Sequence, residues 1–130
     1  YIDFIQGSLP NILGYADQRV NSAVNAQINH GHSFSLPTTL EVELAEKLTK
    51  IIPCAEKVRF GKNGSDATTG AVRVARAFTG RDRVAACGYH GWHDWYIGTT
   101  SRKLGVPAAT CELTSTFEYN SIDFGFGIYP

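Results

Sequence analysis

Apolar positions along this chain fall into three helical stripes separated by short alternating segments. Val20, Ala23, Val24 and Ile28 recur at helical spacing and predict a helix from about Asp17 to Ile28, closing near Gly31. Thr38 and Glu41 form a Thr-x-x-Glu capping box. Behind it Leu40, Leu44, Leu48 and Ile51 stack on one face until Pro53 stops the helix. Ala67, Ala71, Val74, Ala75 and Phe78 line a further helix, with Gly80 just past its end. Alternation predicts strands at Tyr1 to Ile5, at Glu56 to Phe60 and, as a short apolar run, at Arg83 to Cys87. The first strand breaks into a loop punctuated by Gly7, Pro10 and Gly14, and the last is broken by Gly88. The order from Val58 to Cys87 is strand, glycine loop, helix, strand, the parallel crossover unit of an α/β fold. Beyond Gly91 the apolar residues Trp92, Trp95, Tyr96 and Ile97 crowd together. Ser101 to Cys111 has no clean period, which leaves a loop with room for one short helix and one strand.

Composition narrows the class. At 130 residues, with 43% apolar side chains and 12% aromatics, the chain suits one globular domain or a piece of one. Twelve basic and twelve acidic residues cancel, so no electrostatic argument favours nucleic acid or a membrane surface as partner; a small molecule or another subunit is expected. No run approaches the roughly 20 apolar residues of a membrane span, and the first residues carry no basic region leading into an apolar stretch. Cys54, Cys87 and Cys111 are odd in number, widely spaced and without any paired spacing, which suits buried thiols in a reducing compartment better than a disulfide framework and predicts a cytoplasmic protein. The chain opens without Met and closes in Asp123-Phe124-Gly125-Phe126-Gly127-Ile128-Tyr129-Pro130, so both ends read as cut or foreign.

The candidate chemistry begins in the loop Gly61-Lys62-Asn63-Gly64-Ser65-Asp66. A helix N-terminus offers unsatisfied N–H groups and the positive end of the macrodipole, so Gly and Ser directly before a helix suit a phosphate. Gly64 permits close approach to the backbone, and Ser65 adds a hydroxyl. The loop has neither the Gly-Lys-Ser/Thr ending of a P-loop nor the spaced glycines of a dinucleotide fingerprint. On spacing alone the plainer alternative is the commoner case: Ser65 or Asp66 caps the helix and Gly64 turns the chain.

Asn63-Gly64-Ser65-Asp66-Ala67, followed by Val72-Arg73-Val74-Ala75-Arg76-Ala77-Phe78-Thr79-Gly80-Arg81, resembles the pattern of class III aminotransferases, closest in flavour to glutamate-1-semialdehyde aminomutase. Tyr1-Ile2-Asp3-Phe4, Ile12-Leu13-Gly14-Tyr15, Ser33-Phe34-Ser35-Leu36-Pro37-Thr38 and Glu41-Val42-Glu43-Leu44-Ala45-Glu46 match the same family in order and spacing, over roughly residues 1 to 122. The resemblance implies an α/β fold, part of the large domain of a pyridoxal-phosphate-dependent transferase of fold type I. Its parts would be an N-terminal segment over 1–35, the beginning of the cofactor domain over 36–122, and a divergent tail over 123–130. It implies pyridoxal 5'-phosphate as cofactor, with Gly64, Ser65 and the Asp66 N–H at its phosphate. Asp66 stands where the family usually has Glu, which keeps the charge and shortens the reach. By the same resemblance Tyr89 of Tyr89-His90-Gly91 stacks on the pyridine ring, a role its flat face suits, with His90 beside it. Ser33 and Phe34 occupy a segment that approaches the substrate in relatives.

Other clusters have plainer explanations. His90, His93 and Asp94 suggest metal ligands, yet no further ligand stands at a recognised spacing and no metal is expected. Arg73 and Arg76 read as solvated charges on an amphipathic helix, and His30 and His32 as surface or hydrogen-bonded histidines. Amino-group transfer needs a Schiff-base lysine and a carboxylate at the pyridine nitrogen. None of Lys47, Lys50, Lys57, Lys62 and Lys103 stands in the catalytic context, so the expectation is an enzyme whose catalytic lysine lies outside these residues, the chain alone being inactive. The implied reaction moves an amino group between an amino donor and a carbonyl substrate, or within one molecule, in a homodimer. Two alternatives remain at this stage: a non-catalytic phosphate-ligand-binding or scaffold module, and a metal-dependent hydrolase using His90, His93 and Asp94.

Overall fold

A computed structural model describes residues 1–121; the tail expectation over 123–130 lies outside them. Contacts group the chain into two compact units, Tyr1–Val58 and a second that begins at Arg59.

The first unit holds α1 (Gln18–Ile28) and α2 (Thr39–Ile51). Asp17 caps α1 by accepting from the Arg19 and Val20 N–H groups, and the Arg19 guanidinium returns to the same carboxylate at 2.7 Å. Beside that guanidinium, and with the two backbone donors, the Asp17 carboxyl is held below the usual carboxylate range. The capping box of α2 forms as expected: Thr38 Oγ1 accepts from the Glu41 N–H, and the Thr38 N–H donates to Glu41 Oε2 at 2.8 Å. The strand expected over residues 1 to 5 is absent. Asp3 instead accepts from the Ile5 N–H and the Tyr15 hydroxyl, and Leu9 N–H bonds Ile5 O, folding the segment into turns. Alternation makes a strand only where a second edge supplies a ladder, and local bonds win here.

The second unit holds α3 (Gly64–Thr79), β1 (Val84–Ala86), α4 (Asp94–Ile97), α5 (Ala108–Cys111) and β2 (Thr114–Thr116). β1 and β2 pair in parallel with Val84 opposite Thr114 and Ala86 opposite Thr116. Bonds from Val84 N–H to Leu113 O and from Phe117 N–H to Ala86 O extend the ladder at both ends. The crossover therefore runs from β1 through α4 and α5 to β2. Val58–Phe60, expected as the first strand of a parallel unit, is not a strand: among the described residues no neighbouring strand pairs with it. α3 begins three residues earlier than its first apolar position. Its cap is Asn63, whose Oδ1 accepts from the Asp66 N–H at 3.0 Å, rather than Ser65 or Asp66. Gly80 ends it in the left-handed conformation at φ 68°, which glycine adopts without the Cβ penalty. Arg76, read from sequence as a solvated charge, is half-buried and donates from Nε to Asp82 O, tying the helix end to the loop before β1.

Little of this surface is covered. Ala86 and Tyr96 are the buried apolar residues among those described, while Val74 and Phe78 on the apolar side of α3 are 69% and 90% exposed.

Candidate functional site

α3 and the loop after β1 meet at the helix N-terminus. Asn63, Gly64, Ser65 and Thr68 form one wall of a groove of about 460 Å³, and Tyr89, His90, Gly91 and Trp92 form the other. Gly64 and Ser65 are the first two residues of α3, so their N–H groups have no carbonyl within the helix to bond. A Cβ built on Gly64 would meet nothing within 4 Å, so internal packing does not require glycine there. Gly91 is required. Its φ is 107°, and an added Cβ would lie 2.4 Å from Ser65 Oγ and 3.0 Å from Ser65 Cα. The loop crosses the helix N-terminus at van der Waals contact because this residue has no side chain.

Hydrogen bonds fasten the two walls. The Trp92 N–H donates to Ser65 Oγ at 3.3 Å, and Thr68 Oγ1 donates to His90 O at 2.9 Å. Ser65 is thereby buried, yet its own hydroxyl proton remains available, since the recorded bond uses its oxygen as acceptor. One turn along, Thr69 Oγ1 accepts from Trp95 Nε1 at 3.0 Å and lies 2.8 Å from His93 Nδ1. Behind the loop the aromatic rings lock together: Tyr96 meets Tyr89 and His90 edge-on at 5.7 and 5.4 Å, and Trp95 stacks on His90 at 6.1 Å. Tyr89 itself lines the groove and stays 76% exposed.

The structure thus brings Gly64, Ser65, Tyr89 and His90 to one groove and spends the rest of the expected set elsewhere. The Asp66 N–H, expected at a phosphate, is taken by Asn63 Oδ1, and the Asp66 carboxylate lies 3.8 Å from His93 Nε2. His90 turns its Nε2 back to Cys87 O at 2.7 Å. With His93 engaged by Thr69, the histidines do not converge. Among the described residues no three His, Cys, Asp or Glu side chains are grouped to hold a metal ion. Ser33 and Phe34 lie in the first unit, where Phe34 packs over Gly31 and lines a separate groove with Gln27 and Leu36. Sequence reasoning missed Thr68, Thr69, Gly91 and Trp92. A Thr-Thr pair one turn into a helix has no local signature, and its partners lie 22 to 26 residues away.

The family model described as "Aminotransferase class-III" matches residues 1–122. The chain belongs to this family. It is 44% identical over 124 residues to a 3-aminobutyryl-CoA aminotransferase of Cloacimonas acidaminovorans (strain Evry), which covers 95% of this chain and 29% of that protein. It is also 44% identical over 129 residues to a glutamate-1-semialdehyde 2,1-aminomutase of Methanothermobacter thermautotrophicus, covering 92% of this chain and 31% of the relative. Its fold superposes on an omega-transaminase from Sphaerobacter thermophilus with a TM-score of 0.81 and 33% identity, over 93% of this chain and 32% of the other. The FumI protein of Sphingopyxis sp. MTA144, solved in its "PLP internal aldimine form", gives 0.82 and 35%, over 93% of this chain and 29% of that one. The architecture is therefore that of fold-type-I pyridoxal-phosphate-dependent transaminases, an enzymatic family. The chain spans about 30% of the length of the curated relatives it matches. Among the described residues no helix is long and apolar enough to cross a membrane.

Proposed function

We propose that the groove at the start of α3 seats pyridoxal phosphate, and that the protein moves an amino group between an amino donor and a carbonyl substrate or within one substrate. The observation carrying this reading is the convergence of two unbonded helix N–H groups, at Gly64 and Ser65, with the exposed face of Tyr89 on one groove. The residues fit the group. A phosphate dianion takes N–H donors at the positive end of a helix dipole, and the vacant space beside Gly64 lets it reach the backbone. The Ser65 hydroxyl, accepting from Trp92, donates its own proton to a phosphate oxygen. Tyr89, whose ring stands perpendicular to that of Tyr96 with centroids 5.7 Å apart, would cover one face of the pyridine ring. Asp66 and His90 support this seat rather than bonding the phosphate through the Asp66 N–H, which Asn63 occupies.

When bound, the cofactor supplies an electron-accepting ring that stabilises charge on the carbon bearing the amino group. The residues here bind and orient it; the lysine that exchanges protons belongs outside these 130 residues. Ser33 and Phe34 are assigned to the substrate side on the family resemblance alone, and a cytoplasmic homodimer acting on small-molecule substrates is the matching setting. The test is cofactor retention in the intact protein, followed by the absorbance of bound pyridoxal phosphate. Tyr89→Ala should weaken retention about 2- to 10-fold, the worth of one aromatic stacking pair, and Tyr89→Phe should preserve it. Unchanged retention in Tyr89→Ala would remove the stacking role.

A further inference from the structure

Thr69 is a hub that the cofactor seat does not itself explain. Its hydroxyl oxygen receives the Trp95 indole N–H, a group that can only donate. The same oxygen lies 2.8 Å from His93 Nδ1, and among the described residues no other acceptor is recorded for the Thr69 proton. A hydroxyl oxygen can accept twice, so the Trp95 bond alone leaves the direction at His93 open; passing the Thr69 proton to a bare Nδ1 gives that proton an acceptor and puts the His93 hydrogen on Nε2, facing Asp66 Oδ1 at 3.8 Å. That distance is too long for a hydrogen bond but favours the N–H dipole beside a carboxylate. Asp66 and Thr69 lie three residues apart on α3, so the helix presents both to the histidine from one side. Through Trp95, stacked on His90, and Tyr96, which meets both His90 and Tyr89, the grip reaches the residue at the groove's mouth.

We propose that Thr69 and His93 are positioning residues that clamp the loop carrying Tyr89 against the start of α3, with His93 held as the Nε2–H tautomer. The consequence for the cofactor rests on the seat proposed above; the clamp and the tautomer do not. Thr69 does not itself line the groove, and its side-chain bonds go to His93 and Trp95, through which it acts. Thr69→Val removes the hydroxyl at nearly constant volume, and Thr69→Ser restores it.

Long-range proton–nitrogen NMR of the imidazole reads the tautomer, and amide exchange at Trp92, whose N–H bonds Ser65, reads the clamp. Wild type should show His93 Nδ1 as a bare acceptor. Thr69→Val should shift that resonance and lower Trp92 protection about tenfold, as expected for losing one or two hydrogen bonds near 1 kcal/mol each. Thr69→Ser should recover both. A protonated Nδ1 in wild type, or Trp92 protection unchanged in Thr69→Val, overturns the proposal. Should Thr69→Val unfold, the wild-type tautomer together with His93→Phe, which keeps a ring and removes the acceptor, decides the matter: Trp92 protection falls if the clamp is real and is unchanged if it is not, while His93→Asn, with an acceptor near the Nδ1 position, retains it. A wild-type protein that binds no pyridoxal phosphate would defeat the cofactor reading while these signals still judged the clamp.

Discussion

Replacing Gly91 by alanine probes the close crossing on which the groove depends. The perturbation has two parts. At φ 107° an L side chain is strained, which costs on the order of 1–3 kcal/mol. The new methyl would also lie 2.9 Å from Ser65 Cβ and 3.0 Å from Ser65 Cα, and overpacking of this kind costs typically about 1–3 kcal/mol. Ser65 cannot swing aside, because it is buried and belongs to the first turn of α3. Together the two effects come to about 2–6 kcal/mol, a large share of the roughly 5–15 kcal/mol that a folded domain possesses. Gly105 provides the control: its φ is 90°, but a Cβ there meets nothing within 4 Å. Urea unfolding of the two variants separates the terms, since Gly105→Ala carries the backbone strain alone. Gly91→Ala should lose more stability than Gly105→Ala and release pyridoxal phosphate readily, because the Tyr89 loop lifts from the helix. Equal midpoints for the two variants, with cofactor retained, would refute the claim that a missing side chain sets this crossing.

Gly64→Ala should separate binding from folding: open space surrounds the new methyl, so urea stability stays within about 0.5 kcal/mol, while cofactor retention falls because the methyl stands in the phosphate's path. Thr38→Ala should cost about 1 kcal/mol in urea unfolding by opening the capping box of α2. Asp17, its folded pKa lowered chiefly by Arg19, adds stability to α1 that is complete above the ordinary carboxylate pKa near 4 and is lost as the pH falls through its lower folded value. Asp17→Asn, which keeps a capping oxygen, should abolish that acid dependence of helicity measured by circular dichroism.

Much of the local structure was legible because short-range chemistry wrote it. The Thr38–Glu41 box, the Asp17 start of α1 and the Gly80 stop each involve groups within four residues of one another. Asn63, Ser65 and Asp66 are all cap-forming types, and propensity cannot rank three of them so close together; the structure chooses Asn63. The alternations at residues 1 to 5 and 56 to 60 misled because pleating needs a paired edge, whereas β2, a bare Thr-Ser-Thr, has one in β1 and forms without any apolar period. The groove followed from family-like motifs at Gly64, Ser65, Tyr89 and His90. Its fastening by Thr68, Thr69 and Trp92 did not, since contacts across more than twenty residues leave no pattern in neighbouring positions.

Whether the start of α3 seats the cofactor phosphate is decided by a structure of the protein determined with pyridoxal phosphate bound. Phosphate oxygens should lie within about 3.2 Å of the Gly64 and Ser65 backbone nitrogens and of Ser65 Oγ, with the pyridine ring flat against Tyr89. A cofactor whose phosphate is held elsewhere, leaving the start of α3 to solvent, would contradict that seating.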